Sequence, residues 1–200
     1  MMKISANGLD LLKSLESKVT RKGKHVVYDD ATGKPVPPRR RVRGGLTIGY
    51  GHLVKGGEKW PKDGIDERTA SDLLHADLVR FELAVNDAVT VPLNQNEFDA
   101  LVIFAFNIGD RAFRTQASAV RVLNEGKRGE VGRRMTLWNK THIDGKLVLS
   151  PGLVHRRAQE VALFYTPVET SRDDPPPKHV AAKPPRAGCI ARLFSWLKGD

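Results

Sequence analysis

The chain has a single cysteine, Cys189, so no intrachain disulfide can form and nothing points to oxidative folding. Long apolar runs are also missing, and no stretch reaches the length that a membrane span needs. The opening, MMKISANGLDLLKSLES, lacks an uninterrupted apolar core because Asn7, Asp10 and Lys13 break it up, so no secretory signal is expected there. Apart from His52, the histidines (25, 75, 142, 155 and 179) show no metal-ligand spacing, which argues against zinc. Aromatic residues make up only 6% of the chain and no nucleic-acid motif is present, so nucleic acid is not an expected partner. No internal repeat is visible.

What is present is an ordinary globular composition, 40% hydrophobic, carrying a formal charge of +10. Two hundred residues suffice for one well-buried domain with a tail. The charge suits an anionic partner such as a bacterial envelope, or simply keeps a monomer soluble. Ile4, Gly8, Leu11, Leu12 and Leu15 recur at helical spacing behind a possible Ser5 N-cap, predicting a first helix that ends near Glu16. Residues 17–45 are basic and rich in turn formers, and read as a loop or irregular hairpin before a strand from Leu46 to Tyr50. Asp66 can cap a helix bearing Ala70, Leu73, Leu74, Leu78, Phe81 and Val85. Asn94 and Glu97 form a capping-box signature ahead of FDALVIFAFNIG, apolar nearly all round and therefore a buried central helix. Further helices are expected at about 115–125, stopped by Gly126, and at about 128–138. Ser150-Pro151 opens a last helix over 151–165.

The predicted organisation is a folded domain over 1–166, a linker over 167–187 and a short basic amphipathic helix over 188–200. Six of the twelve prolines fall between Pro167 and Pro185, a composition that cannot bury a core. In the terminal segment Ile190, Leu193, Phe194 and Leu197 share one helical face, suited to an anionic lipid or lipopolysaccharide surface or to docking on the folded domain.

Three segments carry chemistry together: LLKSLES, an acid closing an apolar helix; VYDDATG, two acids in a turn; and GGLTIGYGHL, a glycine-punctuated strand. Glycoside hydrolysis needs a protonated carboxylic acid at the leaving oxygen and a second polar group to place water. Glu16, beside Leu12 and Leu15 and so partly desolvated, is expected to hold its proton, whereas an acid in the polar turn stays ionised more easily. These segments resemble the signature of phage-type lysozymes, glycoside hydrolase family 24, whose pattern is a catalytic Glu, then Asp, then Thr. Glu16 matches the acid, Asp30 matches the Asp through Tyr28-x-Asp30-x-x-Gly33, and Thr47 heads the Thr-Ile-Gly-x-Gly-His motif. FNIGDRAF and LWNK…SPGLVHRRAQEVALF extend the likeness over roughly residues 5–165.

The resemblance implies an α+β, lysozyme-like fold, with a cleft between a small β-containing lobe and a larger helical lobe. It implies a muramidase that hydrolyses the β-1,4 bond between N-acetylmuramic acid and N-acetylglucosamine in peptidoglycan, without metal or cofactor. Glu16 would protonate the leaving oxygen while Asp30 and Thr47 position water; inversion would need carboxyls about 6.5–9.5 Å apart. By the same match Leu53, Phe106 and Asn107 would contact the glycan. In role the resemblance covers an endolysin made in the host cytoplasm and released to the cell wall through a pore, and equally an antibacterial effector delivered by secretion machinery.

Some alternatives stay open. The Asp30–Thr47 connection is longer than the family's, with an insertion containing Arg39, Arg40, Arg41 and Arg43 that either grips an anionic envelope or is simply solvated. Asp29 is adjacent and could replace Asp30. Asp77 lies on an apolar stripe and needs a partner, for which His52 is the expected one. Trp138 reads as packing. Arg156 or Arg157 could hold an acid near the cleft floor. A lytic transglycosylase would use Glu16 without needing the Asp or Thr, and a non-catalytic wall-binding module would not need Glu16.

Overall fold

A computed structural model of the chain describes residues 1–16, 18–36, 45–143 and 145–168. The arginine-rich segment Arg39–Arg43, nearly all of the predicted linker, the terminal amphipathic segment and Cys189 lie outside the described residues. Met1–Val168 form one compact unit.

Helix α1 (Ala6–Leu15) starts where Ser5 accepts a hydrogen bond from the Gly8 amide, and it ends with Glu16 in extended conformation at its C-cap. Gly8 is required by packing. A Cβ there would lie 2.6 Å from the Asp99 side chain, so α1 could not otherwise approach the central helix. Within the expected loop or irregular hairpin, residues 20–35 form two short hairpins: β1 (Thr20–Arg21) pairs with β2 (Lys24–His25), and β3 (Tyr28–Asp29) with β4 (Lys34–Pro35). Two-residue strands leave no period-2 signal to read, which is why the turn formers dominated the sequence. Strand β5 covers Leu46–Ile48 rather than reaching Tyr50, because Gly49 and Gly51 turn with φ +66° and +94° into β6 (His52–Leu53). The antiparallel sheet order is β4-β3-β5-β6.

Helix α2 (Glu67–Ala88) is capped by Asp66, which accepts from the Thr69 amide. Its predicted stripe is buried at Ala70, Leu74, Leu78, Phe81 and Val85. Helix α3 (Gln95–Ile108) begins with both halves of the Asn94/Glu97 capping box and is buried from Glu97 through Ala105. It is the axis of the core: α1, α2, α4 (Asp110–Thr115) and α7 (Pro151–Tyr165) all pack on it. Each fully buried Phe or Leu along it contributes about 1.5–3 kcal/mol. Asp99, completely buried on α3, is satisfied by the Ser5 amide, the Ser5 hydroxyl and Gln95.

The helix expected at about 115–125 is α5 (Ser118–Asn124), with α4 a separate short helix ahead of it, and the 128–138 helix is a 3₁₀ turn at Arg128–Glu130 followed by α6 (Val131–Met135). A hairpin of β7 (Lys140–Ile143) and β8 (Lys146–Leu149) was not read from the sequence; it is almost wholly exposed, so it lacks the alternation that burial imposes. Helix α7 is capped by Ser150 with Pro151 in its first turn. Trp138 packs edge-on against Phe104 at 6.2 Å.

Glu67, in the first turn of α2, ties the β lobe to the helices. It accepts from the Tyr50 hydroxyl at 2.7 Å and Lys13 Nζ at 3.2 Å, and meets His25 Nε2 at 2.9 Å. Burial works to raise its carboxyl, but the hydrogen bonds from Tyr50, His25 and Lys13 outweigh it and hold the group down at about 2. A depressed folded value means that the stabilisation is complete above the ordinary value of 4.5 and is lost as pH falls toward 2. Thermal unfolding followed by circular dichroism is expected to show Tm falling across that window more steeply in the wild type than in Glu67→Gln. Parallel curves would remove the role assigned to this carboxylate.

Candidate active site

The strand register decides which side chains face the helices. Tyr28 pairs with Thr47 and Thr47 with Leu53, so these three stand in a row on one face of the sheet. Asp29, Leu46, Ile48 and His52 belong to the opposite face by alternation. Asp29 is buried and its carboxylate accepts from the Ala31 amide at 2.9 Å, shaping the β3–β4 turn. Asp30, one residue on, is exposed.

That row forms one wall of a cleft of about 560 Å³. Glu16, Asp30, Thr47, Leu53, Phe106 and Asn107, all named from the sequence, line it. Tyr28, Gly33, Gly51, Leu15 and Arg156 complete the lining. Leu15 and Glu16 come from the end of α1, Phe106 and Asn107 from the end of α3, and Arg156 from α7. Phe106 is anchored by edge-on contact with Phe81 at 5.1 Å. The depression continues both ways. One extension, sharing Leu15, Asn107 and Arg156, runs past Ser150 and Gln159; the other, sharing Gly51, Leu53 and Phe106, runs past Lys55 and Arg80. An open groove of this form suits a polymer rather than a small molecule.

Glu16 is not in the purely apolar setting expected from Leu12 and Leu15. Its Oε1 lies 2.7 Å from Arg156 Nη1, a close charge contact not aligned as a hydrogen bond. Its Oε2 points toward Gly51, where a Cβ would stand 3.8 Å away, next to the Phe106 ring at 3.9 Å. With φ at +94°, glycine both permits this turn and leaves room beside the acid. Burial, then the negative charges of Asp30 and Glu16, raise the Tyr28 hydroxyl, so both carboxylates act on the same ring from the two sides of the cleft.

Arg156 and Arg157 divide the work that the sequence left open between them. Arg156 reaches Glu16; Arg157 donates to Asn107 and lies 4.8 Å over the Phe104 ring. Between them sits Glu160, fully buried, with Oε1 3.1 Å from Arg156 Nε and Oε2 3.1 Å from Arg157 Nη1. Burial pushes the Glu160 carboxyl up to about 7 in spite of both guanidiniums, and burial lowers Arg157 to about 10, still charged at neutral pH. Glu160 was missed in the sequence, although Arg-Arg-x-x-Glu places all three on adjoining faces of one helix.

His52 Nδ1 meets Asp77 Oδ2 at 2.9 Å, and its Nε2 meets Glu58 at 3.3 Å, a partner not foreseen. This pair joins the sheet to α2 behind the cleft wall. Among the described residues no cluster of His, Cys, Asp and Glu could hold a metal ion.

Comparison with known proteins gives the family and the fold. The phage lysozyme family model matches residues 29–160. The endolysin of Bacillus phage PZA is 40% identical over 173 residues, which is 86% of this chain and 59% of that protein. The endolysin of Salmonella phage P22 is 35% identical over 168 residues, 83% of this chain and all of the relative. The muramidase domain of SpmX from Asticaccaulis excentricus superimposes with a TM-score of 0.68 at 35% identity, covering 84% of this chain and 100% of that domain. The chain thus spans 59% and 55% of the length of the two Bacillus phage endolysins it matches, while it covers the P22 protein completely. The α+β architecture is the lysozyme-like fold.

Proposed function

Starting from the premise that the chain belongs to the phage lysozyme family, we propose that it is a muramidase, hydrolysing the β-1,4 bond between N-acetylmuramic acid and N-acetylglucosamine in peptidoglycan. The observation that carries this reading is the convergence of Glu16 from the helical side and Asp30 and Thr47 from the sheet side on one groove. Glu16 delivers a proton from Oε2 to the leaving glycosidic oxygen. Arg156, held against Oε1, stabilises the carboxylate that this transfer leaves behind. Asp30 accepts a proton from the attacking water, and the Thr47 hydroxyl orients it from the same wall. Leu53, Phe106 and Asn107 contact the sugars on either side. The His52–Asp77 pair braces the sheet that carries Thr47.

Biologically this is the chemistry of an endolysin, the name carried by the Bacillus phage PZA and Salmonella phage P22 relatives, and the substrate proposed here lies in the bacterial cell wall. Among the described residues no helix is long and apolar enough to cross a membrane. Mass spectrometry of purified peptidoglycan digested by the protein is expected to show a reducing-end N-acetylmuramic acid, with oxygen from solvent water. A 1,6-anhydro sugar as the product would replace hydrolysis with transglycosylation and dispense with the roles given to Asp30 and Thr47.

A further inference from the structure

Four charged groups form one chain at the back of the cleft: Glu16, Arg156, Glu160 and Arg157, linked by contacts of 2.7, 3.1 and 3.1 Å. Three of the four are buried, and Glu160 is completely so. We infer that Glu160 is a positioning residue that sets the alkaline limit of activity, by clamping Arg156 and by cancelling the positive charge that Arg156 and Arg157 would otherwise impose on Glu16. The inference rests on the reading of Glu16 as the proton donor.

The reasoning is electrostatic. With all four groups charged the cluster is neutral. With Glu160 uncharged it carries a net positive charge, and a positive charge beside a carboxylic acid favours loss of its proton. A donor that must remain protonated is therefore helped by an ionised Glu160, and this coupling is reciprocal: burial first and then the charge of Glu16 raise the Glu160 carboxyl, so Glu160 ionises more easily while Glu16 keeps its proton. Burial strengthens these interactions by excluding solvent screening. The Glu16–Arg156 contact is also unaligned for hydrogen bonding, so it is governed by net charge more than by donor geometry.

Other charges packed on α7 are already committed. On α3, Glu97 pairs with Arg128, Asp99 binds Ser5 and Gln95, and the neutral Asn107 faces Arg157. On α6, Arg133 and Arg134 both reach Glu130. The groups that act on Glu160 are Arg157, Arg156 and Glu16.

The test pairs kinetics with spectroscopy on the full chain. In Glu160→Gln, which keeps an oxygen for Arg156 Nε but no charge, the alkaline limb of the kcat/KM profile for peptidoglycan clearing is expected to move down by about 1 pH unit or more. The acid limb stays in place, and Glu160→Asp returns the alkaline limb toward wild type. A purely structural glutamate would lower Tm without moving either limb, and a folded Glu160→Gln whose alkaline limb coincides with wild type overturns the inference. Carbon-13 NMR titration of glutamate carboxyls in the wild-type protein covers the case in which Glu160→Gln does not fold. The Glu16 resonance is expected to move in two steps, one coinciding with Glu160 titration; a single independent step also overturns the inference. Because this readout needs no activity, it is separate from the identity of the acid: an active Glu16→Gln would sink the donor role even where the two carboxyls remain coupled.

Discussion

Glu16→Gln is expected to lower peptidoglycan clearing by about 10²–10⁴-fold, the range a positioned general acid supplies, while leaving Tm nearly unchanged. The substitution keeps size and shape. Its amide oxygen can still face Arg156, and Arg156 keeps its contact with Glu160, which it shares with Arg157. What disappears is the titratable proton on the atom that faces Gly51 and the cleft. Turbidity clearing of purified cell walls, run beside circular dichroism melting, measures both quantities. A folded variant that clears at the wild-type rate would end the assignment of Glu16 as donor.

The second large effect separates two adjacent carboxylates. Asp30→Asn is expected to lose on the order of 10²-fold in the same assay, because an amide cannot take a proton from water. Asp29→Asn should retain most of its activity and pay instead in stability. Asp29 lies on the far face of the sheet and holds the Ala31 amide, whereas Asp30 lines the cleft. The reverse outcome, activity lost at 29 and kept at 30, would mean that the β3 register in solution is displaced by one residue, exchanging the two faces.

Helix starts were the most legible features, since their chemistry is local. Ser5, Asp66, Asn94 and Ser150 each announce a helix through an oxygen that its own first-turn amide can reach, and all four act as N-caps. The buried central helix was readable for a similar reason: an apolar surface nearly all round has only one stable place to go. The short strands between Thr20 and Pro35 and the exposed β7–β8 hairpin were not readable, because two residues hold no period and a solvated hairpin needs none.

The cleft residues named in advance, Glu16, Asp30, Thr47, Leu53, Phe106 and Asn107, came from motif order, which says which side chains share a task but not how far apart they stand. The choice between Asp29 and Asp30 needed the register. The choice between Arg156 and Arg157, and the presence of Glu160 behind them, needed the packing of α7 against α3 and the end of α1. The sequence alone determined where the helices begin, which helix is central and which acids belong to one family signature, because each depends on neighbours along the chain. Tertiary structure alone decided which charges meet and which carboxylate faces the groove. Coulomb interactions act through space, and only folding brings Glu16 at the end of the first helix to Arg156 on the last.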